Sequence, residues 1–193
     1  MWEYWGVESL TLNIRYLLWR EGERREEWAA KLTDLLGCDI RRAQEILSGG
    51  VDLQPKEISA MAKAYKIGVN DMRTLNLLSK EKVNVLTANI RHLIEGLAHG
   101  QRKYFAAELG VDVTTVSRWS SSAQRPTRTK LRRICEYFGL PLATNLEDDP
   151  VFLSLDPVTG SEMKSWLHEQ IEGLDADTLR NLFPALQRLL KSK

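Results

Sequence analysis

Residues 102–119 read RKYFAAELGVDVTTVSRW, and everything else in the chain is best read outward from them. Phe105, Ala106 and Leu109 fall three and four apart, so the spacing predicts a short helix over 102–109. Gly110 follows at once, where a helix that ends in a left-handed residue wants glycine. Asp112 stands where a carboxylate can accept the free amides of a new helical turn. A second helix then runs over 113–119, with Val116 and Trp119 facing inward. Ala106, four before the glycine, is small enough to let the two helices cross closely. Val116, six after it, packs the second helix onto the first.

Two short helices joined in this way form a helix-turn-helix, whose second helix enters the DNA major groove. The run GVDVTTVSRW (110–119), followed by QRPTRTKLRRICEYFGL (124–140), resembles the lambda repressor/Cro-type (Xre-like) helix-turn-helix family. The resemblance covers roughly residues 86–146 and rests on the Gly-Val pair, the Val-Ser-Arg-Trp run and Pro126 before the next helix. It implies base contacts at Val113, Thr114 and Ser117, and it places Trp119 in the core. One position departs from the pattern. The family usually has Gln at the first position of the first motif helix, where it braces a backbone contact; Arg102 is aligned there, with Gln101 just before it.

The chemistry of the predicted second helix agrees with reading a groove. Val113 and the methyls of Thr114 and Thr115 can pack on thymine methyl groups, and the hydroxyls of the threonines and Ser117 can donate or accept. Arg118 can reach guanine or a phosphate. Arg102, Arg125, Arg128 and Lys130 are the expected phosphate contacts. Arg132 and Arg133 extend the same basic cluster, and a solvated helix face is the alternative reading of it.

The formal net charge of +1 hides an uneven spread. Residues 1–79 carry −1, residues 80–141 carry +6 and residues 142–193 carry −4. The basic middle holds the motif, and a positive patch supplies sequence-independent attraction to phosphate. The acidic end is expected to meet protein or water. No apolar run approaches the roughly 20 residues of a membrane span, and MWEYWGVESL lacks the pattern of a secretion signal. Cys38 and Cys135 are too few for a disulfide framework and read as small buried hydrophobes. The expected setting is the cytoplasm, on the nucleoid.

An internal repeat precedes the motif. LTLNIRYLL (10–18) matches LTANIRHLI (86–94), 76 residues on. Gly37, Ile58, Met61 and Tyr65 match Gly110, Leu131, Ile134 and Phe138, each 73 residues on. The expected fold is therefore all-α: two tandem five-helix lambda-repressor-like helix-turn-helix domains over 7–79 and 80–146. Residues 142–146 are expected to form the short fifth helix of the second. In the first copy Thr33 replaces the small Ala and Ile46 the Trp, while Asp39 keeps the cap. Its second helix offers Ile40, Arg41, Arg42 and Gln44 outward, with Glu45 beside them. Either this copy is a second DNA-reading head, or it is kept for packing or pairing. Val69 to Glu95 holds no Gly and no Pro, so a stiff joint is expected, with two heads about 34 Å apart on one side of a duplex.

Residues 147–193 should form an acidic joint and a C-terminal helical hairpin, one helix starting at Ser161 and the other capped by Asp175. Pro184 is expected to kink the second helix or break it near Leu182. The apolar stripe includes Trp166, Leu167, Ile171, Leu182, Phe183 and Leu186. So short a segment builds a core poorly alone, so homodimerisation through the hairpin or the first domain is expected. Trp2, Tyr4 and Trp5 are expected to pack on the subunit or on a partner. His92, His99 and His168 lie far apart, and no catalytic or metal-binding motif stands out. The expected function is sequence-specific double-stranded DNA binding by a prokaryotic or phage regulator, with no cofactor and no enzymatic activity; repression is favoured over activation. The alternative is a DNA-associated adaptor, such as an antitoxin or mobile-element factor, whose first copy and tail bind protein.

Overall fold

The computed structural model describes residues 9–191, apart from the side chains at 161, 189 and 190; the aromatic cluster at positions 2–5 lies outside the described residues. All regular structure among the described residues is helical. Helices α1 (Ser9–Arg20), α2 (Trp28–Leu36), α3 (Ile40–Ser48), α4 (Pro55–Ala64), α5 (Val69–Thr74) and α6 (Leu77–Lys80) come first. Next are α7 (Val85–Glu95), α8 (Gln101–Glu108), α9 (Val113–Ser120) and α10 (Arg128–Tyr137). The C-terminal arm is α11 (Gly160–Glu172) and α12 (Ala176–Lys191). Single 3-10 turns occupy Arg25–Glu27 and Val151–Leu153.

Among the described residues, two hydrophobic cores form. One gathers Ile14, Leu17, Trp28, Leu32, Ile46, Met61, Met72 and Leu77 from α1 to α6. The other gathers Ile90, Leu93, Phe105, Leu109, Val116, Trp119, Ile134 and Phe138 from α7 to α10. The first helix of each core carries a buried asparagine. Asn13 donates to the carbonyls of Met72 and Leu75, at 3.0 and 2.7 Å, and accepts the Leu77 amide. Asn89 donates to the carbonyls of Leu146 and Asp149, at 2.9 and 2.7 Å, and accepts the Phe152 amide. Two residues further along each helix, an arginine holds a helix end. Arg15 donates to the Leu47 carbonyl at 2.6 and 2.8 Å, and Arg91 to the Ser120 carbonyl at 3.3 and 3.4 Å. These bonds satisfy last-turn carbonyls that a helix leaves open.

Residues 142–146 do not form the expected fifth helix. Asn145 and Asp149 close a local turn instead, the Asn145 amide donating to the Asp149 carboxylate at 2.7 Å. Side chains of this kind offer the backbone an alternative to the helix, and Asn89 takes the carbonyls that result. Nor is the segment after it an exposed joint. Val151 is buried in the second core, while Phe152 and Leu153 are buried in the first. One short turn thus inserts neighbouring side chains into both cores.

The arm differs from expectation at its start. Thr159, not Ser161, caps α11, in a reciprocal box with Glu162. Gly96, just past α7, faces this cap so closely that a Cβ there would overlap the Thr159 side chain. Asp175 caps α12 as expected, accepting the Thr178 amide at 2.9 Å. Pro184 sits inside α12 without breaking it. The arm's apolar stripe is largely uncovered: Met163, Trp166, Leu167, Ile171, Leu182 and Phe183 are all exposed.

Candidate nucleic-acid interface

The interface is built on α8, a glycine turn and α9. Gly110 has φ +62°, a left-handed conformation that costs other residues. Asp112 then starts α9, its carboxylate accepting the Thr115 amide at 2.6 Å and the Thr114 hydroxyl at 2.6 Å. Those two bonds hold its carboxyl below the usual range, the Thr114 hydroxyl first. Phe105 and Ala106 of α8, and Leu109 just after it, are buried in one core with Val116 and Trp119 of α9. The small Ala106 permits this close crossing.

With that face fixed, the other face of α9 points to solvent. Val113 is 40% exposed, and Thr114, Ser117 and Arg118 are exposed while Thr115 is half-buried. The Ser117 hydroxyl donates back to the Val113 carbonyl at 3.1 Å, so its remaining acceptor capacity faces outward. Among the described residues, no ion pair engages Arg118.

The expected phosphate contacts divide into two groups. Arg102 and Arg128 are exposed, in the first turns of α8 and α10, and no ion pair engages them among the described residues. Arg125 instead pairs with Glu147. Lys130 is half-buried, its ammonium donating to the Leu109 carbonyl at the end of α8. Lys130 therefore braces the turn that aims α9, and its charge is partly spent there. The physical reason is the same open-carbonyl chemistry that occupies Arg91. Arg133 similarly donates to the Glu108 carbonyl.

Two features escaped the sequence reading. Helix α8 begins one residue earlier than the spacing suggested, at Gln101, so a glutamine does occupy its first position. Its side-chain oxygen accepts the Ala98 amide at 3.0 Å, which leaves the side-chain amino group free to donate. Lys103 adds an exposed cation on the same turn. The RK pair in the sequence was the available signal.

The expected second head is differently built. Asp39 caps α3 as Asp112 caps α9, accepting the Arg42 amide at 2.8 Å. Ile40, Arg41 and Gln44 are exposed. Arg42 is not free to read bases: its guanidinium lies 2.9 Å from Glu57 and 2.7 Å from the Asp52 carbonyl. Glu57 is nearly buried and holds Gln54 of the α4 cap as well, so Arg42 is drawn inward to neutralise it. Arg41 pairs with Glu45 at 3.2 Å.

A family model described as Helix-turn-helix matches residues 90–145. The match runs from Ile90 in α7 through α8, α9 and α10, and it is the domain type of DNA-binding regulators. Comparisons with curated proteins and with solved structures gave no match. Among the described residues, no helix is long and apolar enough to cross a membrane, and no group of three or more His, Cys, Asp or Glu side chains could hold a metal ion.

Proposed function

We propose that the chain is a sequence-specific double-stranded DNA-binding transcriptional regulator, a repressor by promoter occlusion, that inserts α9 into the major groove. The observation that carries this reading is the exposed row Val113, Thr114, Ser117 and Arg118 on a helix whose opposite face is locked in the core. Arg102, Lys103 and Arg128 supply charge for the flanking phosphates. Selection of bound fragments from random DNA tests it. Thr114→Ala should relax base preference at about 1–3 kcal/mol per lost specific contact, whereas Arg128→Ala should weaken all sequences alike and flatten the salt slope. Equal loss on selected and random DNA for Thr114→Ala would count against the assignment.

We read residues 9–80 as a diverged second copy of the same unit. The paired bonds of Asn13 and Asn89, and of Arg15 and Arg91, support this. For its role, the engagement of Arg42 by Glu57 favours protein contact or packing over base reading. Arg41→Ala with Gln44→Ala should then leave DNA affinity unchanged. The exposed apolar residues Leu167, Ile171, Leu182 and Phe183 on α11 and α12 support homodimerisation through the arm. Leu182→Glu with Phe183→Glu should convert a dimer to a monomer in analytical ultracentrifugation.

A further inference from the structure

Between the first helical unit and the arm lies a cleft of about 310 Å³, a size at the lower end of small-ligand sites. Arg25 and Glu26 of the first 3-10 turn, Leu47 of α3, Leu155, and Trp166 and Glu169 of α11 form its walls. None of these belongs to the DNA-reading surface. Leu47 is buried and Leu155 half-buried, while Trp166 is 47% exposed, so an apolar wall stands open to solvent.

The polar groups around this wall are unevenly satisfied. Glu162 is fully engaged, by Arg25 at 3.0 Å and by the amides of Val158 and Thr159 at 3.0 and 2.9 Å. Glu169 has no ion-pair or hydrogen-bond partner among the described residues, and Glu26 has only a loose contact with Arg24 at 3.5 Å. Arg25 uses its two terminal nitrogens on Glu162, the Asp156 carbonyl and His92. Its Nε is buried, out of reach of a molecule in the cleft.

We propose that this cleft binds a small amphipathic amine, with its apolar body on Trp166 and Leu155 and its ammonium held by Glu169 and Glu26. An indole face beside the carboxylates adds attraction for the cation. Anions are disfavoured: the carboxylates of Glu26, Glu162 and Glu169 face one guanidinium there. Phosphate and DNA are excluded on the same ground.

The test uses the full chain and three probes, followed by calorimetry and by the indole N–H signals in nitrogen-15 NMR spectra. L-phenylalaninamide carries body, ammonium and carbonyl. N-acetyl-L-phenylalaninamide lacks the charge, and 3-phenylpropanoate reverses it. The amine should saturate one site and shift the Trp166 indole signal. The acetylated probe should bind at least about fivefold more weakly, and the acid not at all. Glu169→Gln and Trp166→Phe, both at exposed positions, should each weaken the amine about threefold with the circular dichroism spectrum unchanged. Absence of saturation, equal affinity for the acetylated probe, or indifference to both variants would overturn the proposal.

Discussion

Asn13 and Asn89 stand 76 residues apart and make the same three bonds: two donated to carbonyls of a later turn, one accepted from the amide that follows it. Both are almost completely buried. Each side chain ties the first helix of its unit to the irregular segment that closes the core. Removing one leaves two carbonyls and an amide without partners in a dry environment. Asn89→Ala should therefore cost about 2–4 kcal/mol, measured as a lower urea midpoint. Asn13→Ala should cost a similar amount, and a change under about 0.5 kcal/mol at both sites would contradict this account.

The motif was legible because each of its parts has a local cause. Glycine, N-cap aspartate and apolar spacing act within ten residues, so Gly110, Asp112, Val116 and Trp119 could be placed from sequence. The Asn-Ile-Arg shared by both copies was equally visible, but its meaning was not. A polar residue in an apolar stripe reads as a blemish until the distant carbonyls it serves are known. The same holds for Arg42 and Lys130. Each is a surface cation by spacing, and each is drawn inward by a buried carboxylate or an open helix end that sequence distance conceals. The 3-10 turn at Val151–Leu153 was missed because acidic residues and prolines flank it, and those indicated a joint. Three consecutive apolar residues there were the signal for burial.

The arm is clasped by charges whose titration should be measurable. His92 is half-buried between Arg25 and Glu162, with Arg25 Nη2 at 3.1 Å and Glu162 at 3.4 Å from its Nε2. Burial, then the Arg25 charge, pushes the imidazole down to about 4. The unfolded chain binds this proton near pH 6.5 and the folded chain does not, so stability falls as pH drops from about 6.5 to about 4. Burial works to raise the Glu162 carboxyl, but the Arg25 guanidinium and the amides of Thr159 and Val158 hold it low, and its contribution is lost on further acidification. Between pH 7 and 4.5 the loss linked to His92 should be about 1–3 kcal/mol. His92→Gln should flatten that part of the profile. An unchanged slope in the variant would show that another group carries it.

Gly96 should not tolerate a side chain. Its φ of −72° is open to any residue, so backbone freedom is not the reason. The reason is Thr159, which is buried and caps α11. Gly96→Ala forces this cap away, with loss of the Glu162 amide bond and of the position from which Glu162 meets Arg25. An expected cost of about 1–3 kcal/mol combines a lost cap with overpacking. Limited proteolysis should cut at the start of α11 faster in the variant while α8 to α10 stay protected. Loss of protection across all helices alike would argue against so local a cause.

Lys66 and Gly139 occupy matching positions after α4 and α10, 73 residues apart, and both have positive φ, +55° and +64°. Only one of them is the residue such a conformation favours. A left-handed lysine carries a local cost that glycine avoids. Glycine in turn gives the unfolded chain more freedom, which offsets part of the gain. Lys66→Gly should thus raise stability by about 0.5–1 kcal/mol. Nothing lies within 4 Å of a Cβ built at Gly139, so Gly139→Ala should lower stability by about 1 kcal/mol through backbone strain alone. Opposite shifts in urea midpoint, with unchanged slopes, are the expected result. Shifts of the same sign would show that these two turns are held by something other than their own dihedral preferences.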